Sequence, residues 1–68
     1  MIEQLEQTLH GLDRDINELR RRIWMTKNGL TGSKDPPADV ARLEEQLRQL
    51  GDRFVETYRA WSRQHAAE

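Results

Sequence analysis

Four groups of residues have types and spacings that could carry chemistry. Asp13-Arg14-Asp15-Ile16-Asn17 places oxygen donors at alternate positions, as the opening of a calcium loop does. Such a loop needs glycine at its sixth position and a bidentate glutamate at its twelfth. Here those positions hold Glu18 and Trp24, so a solvated helix face is the better reading. His10 and His65 give two nitrogen ligands without a carboxylate cluster beside them, and ordinary surface histidines account for both. Ser33 and Ser62 have no neighbouring base in sequence, and there is no cysteine nucleophile. The expectation is a protein that is not an enzyme, with no metal site and no cofactor. Arg20-Arg21-Arg22 could touch phosphate. Three successive helical residues spread over ~200° of a helix surface, so they do not make one patch. With eleven basic against twelve acidic residues, bulk charge gives nucleic acid no footing either.

The remaining candidates are apolar. Trp24, Met25, Val55 and Tyr58 stand beside, not on, the main hydrophobic stripe described below, and Trp61 stands on it. Trp and Met on an otherwise charged surface are costly to leave wet and are enriched at the centres of interfaces. These five residues are the expected partner interface. The competing reading is that Trp24 and Met25 merely close one end of the fold.

The elements that must position them follow from periodicity. Ile2, Leu5, Leu9, Leu12, Ile16, Leu19 and Ile23 recur at steps of three or four, as do Val40, Leu43, Leu47, Leu50 and Phe54. That spacing draws a stripe along a helix and is incompatible with the period of two in a strand. Thr26 and Leu30 continue the first stripe; Thr57 and Trp61 continue the second. Between the arms lies the only stretch rich in helix breakers, Gly29-Leu30-Thr31-Gly32-Ser33-Lys34-Asp35-Pro36-Pro37. Asn28-Gly29 suits a helix C-terminus, with Gly29 left-handed and Leu30 folding back. Asp35 suits an N-cap followed by proline in the first turn. The expectation is a single all-α hairpin over 1–68, with helices at about 2–28 and 37–65 and a loop at about 29–36.

A loop this short makes the helices antiparallel, pairing residues whose numbers add to about 68. Each helix begins acidic and ends basic, which suits the helix dipole and sets acidic starts beside basic ends. The seam is the two stripes facing each other, coiled-coil fashion. A lone hairpin of this size is marginal, because a chain this short buries only about 60% of its unfolded surface. No disulfide can staple it, since the cysteine count is zero. Gly11 and Gly51 interrupt the helices, each at a cost of ~1 kcal/mol relative to alanine. They mark either the close approach of a partner helix or tolerated neutral positions.

Gln4-Leu5-Glu6-Gln7-Thr8-Leu9-His10, with the length and the single-hairpin layout, resembles the YscE-like co-chaperones of type III secretion needles. The resemblance implies a short hairpin that docks on a helical-repeat chaperone in the bacterial cytoplasm. His10-Gly11-Leu12-Asp13, with Ile16 and Leu19, also resembles small bacterial hairpins of the DUF465 type. Neither resemblance assigns a role to a particular residue.

The resulting expectation is a protein–protein interaction module that completes a four-helix bundle. Its partner is either a second copy, as an antiparallel homodimer, or a larger helical protein, as for a chaperone adaptor in secretion. A self-contained homodimer binding RNA or DNA, Rop-like, is the alternative. No apolar run is long enough to span a membrane. The start Met1-Ile2-Glu3-Gln4 carries no secretory leader pattern, so a cytoplasmic location is expected.

Overall fold

The computed structural model describes residues 2–66; at Ile2 the backbone is described but not the side chain. Two helices form an antiparallel hairpin, α1 at Ile2–Lys27 and α2 at Pro36–Ala66, with no strand among the described residues. The result is a rod of 51 × 15 × 13 Å.

Local chemistry sets the helix ends. The Leu30 N–H donates to the Met25 carbonyl at 2.9 Å, and the Gly29 N–H donates to the Thr26 carbonyl at 3.2 Å. Together with a φ of 71° at Gly29 these bonds make a Schellman motif, which satisfies carbonyls that the last turn leaves free. Asn28 therefore belongs to the terminating turn, and α1 ends one residue before the expected 28. Leu30 does not fold back onto the seam; it is 59% exposed. At the start of α2 the Ala38 N–H donates to the Asp35 carboxylate at 3.4 Å, and the Asp39 N–H to the Asp35 carbonyl at 3.0 Å. Asp35 is thus the cap and Pro36 the first helical residue. Pro36 and Pro37 both fit the first turn, where no N–H is required.

The seam is unevenly covered. Leu19, Ile23 and Val40 are buried, and Thr26 is only 3% exposed. All four lie in the half of the rod next to the loop. Thr26 is satisfied: its hydroxyl donates to the Arg22 carbonyl at 2.8 Å, and the Thr31 hydroxyl reaches it from the loop at 3.5 Å. Leu5, Leu9, Leu12, Ile16, Leu43, Leu47, Leu50, Phe54 and Trp61 are half-buried. The physical reason is simple. Two helices cover a seam from two sides only, and both walls of the groove between them stay open unless something roofs them. At the loop end the Thr31 hydroxyl reaches Thr26 and Ser33 holds Asp39, so the connection closes the seam around Thr26. Ile2, expected on the same seam, has a side chain outside the described residues.

No ion pair crosses the hairpin among the described residues. Those present join neighbours on one helix: Arg42 with Asp39, and Arg48 with both Glu45 and Asp52. A further contact joins Arg14 and Asp15 at 3.9 Å. The opposed charges of the two arms therefore act through the helix dipole and longer-range fields rather than through direct bridges.

Candidate partner interface

The hairpin has two walls, and they differ. On one wall a hollow is lined by Asp13, Ile16, Arg20, Leu47, Gly51, Phe54 and Val55. Toward the open end it is followed by a second hollow, lined by Glu6, Leu9, His10, Tyr58 and Trp61. Trp24 lies four residues beyond Arg20, one helical turn nearer the loop on the same side. Trp24 is 60% exposed, Tyr58 51% and Val55 46%. Trp61 is half-buried at the edge of the same surface. Four of the five residues expected at a partner interface therefore share one wall.

Met25 does not join them. Successive helical residues turn by ~100°, which separates Met25 from Trp24 and puts it in line with Glu18, seven residues earlier. Glu18 lines the other wall, together with Asp15, Arg22, Gln46, Gln49 and Arg53. Met25 is half-buried there, and its carbonyl is tied into the helix stop. The i, i+7 relation to Glu18 was the available signal. Apart from Met25 and the seam edge at Leu19 and Leu50, the side chains named on this second wall are charged or carry amides.

The rings of the aromatic wall lie against one another along α2. Phe54 stacks near Tyr58 at 6.4 Å and 13°, Tyr58 tilts against Trp61 at 5.7 Å and 35°, and Trp61 stacks on His65 at 4.7 Å and 11°. The three- and four-residue steps of this ladder are those that bring side chains together on a helix. The Trp61 Nε1–H donates to the Glu6 carboxylate at 3.2 Å, tying the ladder to α1. Side chains already held in place lose less entropy when a partner covers them.

The charges on this wall are also organised. Glu6, Asp13, Arg20 and Lys27 recur every seven residues along α1, so they form one row. Among the described residues none of the four is in an ion pair. Arg20 lines the aromatic wall and Arg22 the polar one, so the arginine triplet is divided between the two faces. On α2, Arg48 lowers the pKa of Glu45 by hydrogen bonding and then by charge, and its own pKa is raised by the same partner.

Of the residues considered for chemistry, His10, Asp13 and Arg20 line this wall and His65 stacks on Trp61, while Ser33 serves structure. The Ser33 hydroxyl donates to the Asp39 carboxylate, which also accepts from Arg42 at 2.7 Å. This chain of contacts pins the loop to the first turns of α2. It was not foreseen, because six residues separate Ser33 and Asp39 across a turn of undetermined path. Among the described residues no three or more of His, Asp and Glu stand close enough to hold a metal ion. No described helix is long and apolar enough to cross a membrane. Compared with protein-family models, with curated proteins and with solved structures, the chain matches none.

Proposed function

We propose that this protein is a non-enzymatic helical interaction module, and that the wall of Trp24, Val55, Tyr58 and Trp61 is its docking surface. One observation carries the reading: the exposed aromatic and aliphatic side chains Trp24, Val55 and Tyr58 gather on one wall with Trp61, while the other wall has Met25 as its one off-seam apolar residue among the charged and amide side chains that line its hollow. Covering the groove beside this wall would also bury the half-covered leucines of the open end. At roughly 25 cal/mol per Å² of apolar surface, that is where stability remains to be gained. A helical partner with an apolar stripe of its own completes a four-helix arrangement. The role implied by the secretion co-chaperones, a cytoplasmic chaperone adaptor, is a specialised form of this reading. Its support is the hairpin layout and the unpartnered aromatic wall. The arginine triplet is divided between the two walls, which weighs against the nucleic-acid alternative.

The test compares the two walls. Trp24→Ser combined with Tyr58→Ser should abolish the assemblies that the wild type forms, alone or in cells. Gln46→Ser combined with Gln49→Ser, on the polar wall, should leave them intact. Light scattering on tagged protein recovered from cells gives the masses. Equal behaviour of the two double variants would refute the assignment of the wall.

A further inference from the structure

We infer that the occupant of the aromatic wall is a second copy of this chain, turned end for end, with a two-fold axis passing beside Gly51. This rests on the interaction reading above and names its partner. Along the row Glu6, Asp13, Arg20, Lys27 the signs run minus, minus, plus, plus. Such a row is complementary to itself only when reversed. Its midpoint lies between Asp13 and Arg20. The hollow lined by both of these residues is also lined by Gly51, so the midpoint is level with Gly51 on α2.

The second helix repeats the symmetry independently. Glu44 and Tyr58 stand seven residues before and seven after Gly51, in one row of α2. A two-fold axis across the hairpin at this level lays α1 on α1 and α2 on α2, each reversed. Glu6 of one copy then meets Lys27 of the other, and Asp13 meets Arg20, each pairing occurring twice. Glu44 meets the Tyr58 hydroxyl, which can donate to it. Trp24, about 11 Å from the axis toward the loop, comes level with Tyr58 of the second copy, about 10 Å from the axis on the other side. Two aromatic clusters result. Gly51 meets Gly51 at the axis, where its missing side chain lets the helices approach. A Cβ at Gly51 would have no atom within 4 Å in the single hairpin, so nothing inside the hairpin requires glycine there.

The parallel arrangement is worse on the same residues. It sets α1 over α2 of the second copy at equal height, bringing Arg20 beside Arg48 and leaving Asp13 opposite Val55. The contact area is adequate for a specific pair. A wall 51 Å long and 13–15 Å wide offers roughly 700 Å² per copy, against roughly 800 Å² per partner in stable interfaces.

Charge reversal tests the register. Asp13→Arg alone and Arg20→Asp alone each create two like-charged pairs, and each should weaken dimerisation about tenfold or more. The double variant restores opposite signs and should return the dissociation constant to within about threefold of the wild type. Sedimentation equilibrium reads all four proteins. Asn17→Cys, beside the axis in a chain without cysteine, should form a disulfide dimer readily, whereas Lys27→Cys should not. Failure of the double variant to recover, or faster cross-linking at 27 than at 17, overturns the antiparallel pairing. A wild-type chain that stays monomeric, yet binds a different protein through Trp24 and Tyr58, overturns self-pairing while the interaction reading stands. A monomer whose assemblies ignore both wall residues overturns the two together.

Discussion

Trp61 and Glu6 are joined across the open end of the hairpin, the indole N–H donating to the carboxylate at 3.2 Å. Fifty-five residues of chain separate them, and theirs is the hydrogen bond that ties the last turns of α2 to the first turns of α1. Trp61→Phe keeps a ring in the groove and removes the donor. It should cost about 0.5–1.5 kcal/mol, the net worth of one hydrogen bond, as read from urea denaturation. Trp61→Ala also removes the packing and should cost more. Equal costs for the two would mean that the bond contributes nothing.

The uneven seam makes a prediction about position. Leu19→Ala and Ile23→Ala remove buried side chains beside Thr26 and should cost about 2–4 kcal/mol each. Leu5→Ala, at the half-covered open end, should cost about 1 kcal/mol in dilute monomer. Denaturant midpoints at low protein concentration check this. Equal losses at all three sites would contradict the gradient.

Much of this architecture was legible in the residues. Steps of three and four from Leu5 to Ile23 and from Val40 to Phe54 allow only helices. Gly29 and Asp35 announce the stop and the start through backbone chemistry that acts within a few residues. The burial gradient was not legible, because Leu5 and Leu19 have the same side chain and the same seam position. They differ in place: Leu5 stands near the open end, and Leu19 stands further in, with the half-buried or buried seam residues Ile16 and Ile23 on either side of it. Nor was the Trp61–Glu6 bond, which depends on where one ring lies across a gap between helices. Met25 and Trp24 are neighbours in sequence but stand on different walls, because one residue step on a helix reaches a different face.

Two glycines should respond in opposite directions to the same substitution. Gly29→Ala places a side chain at a φ of 71° and should destabilise by about 1 kcal/mol. Gly11→Ala sits mid-helix with no atom within 4 Å of the new Cβ and should stabilise by about 1 kcal/mol. Thermal unfolding followed by circular dichroism separates them. A loss at Gly11 would reveal a partner pressed against that position.

Acid should weaken the middle of α2 through one exposed pair. Arg48 holds Glu45 below its ordinary pKa of 4.5, first by hydrogen bonding and then by charge. A carboxylate whose folded pKa is lowered stabilises fully above the unfolded value and loses that stabilisation as pH falls through the folded one. Stability should therefore decline below the ordinary carboxylate value, and Arg48→Gln should shallow that decline. An unchanged acid limb in the variant would show that the pair is not coupled to folding.

The reversed charge row predicts sensitivity to salt. Pairs of Glu6 with Lys27 and of Asp13 with Arg20, formed at the edge of an interface, are screened once the Debye length falls from about 10 Å at 0.1 M to about 3 Å at 1 M. The dimer dissociation constant should rise over that range. Association that strengthens steadily with sodium chloride would assign the contact to apolar burial alone.

The most direct measurement of the central claim is the environment of Trp24 as the protein assembles. In a Trp61→Phe background Trp24 is the sole indole, because the chain has two tryptophans. Its emission should shift to the blue, and iodide quenching should fall, as concentration rises from about 1 μM to about 1 mM, in step with the mass from light scattering. An indole that stays fully quenchable while the mass doubles would show that the chain assembles through some other surface.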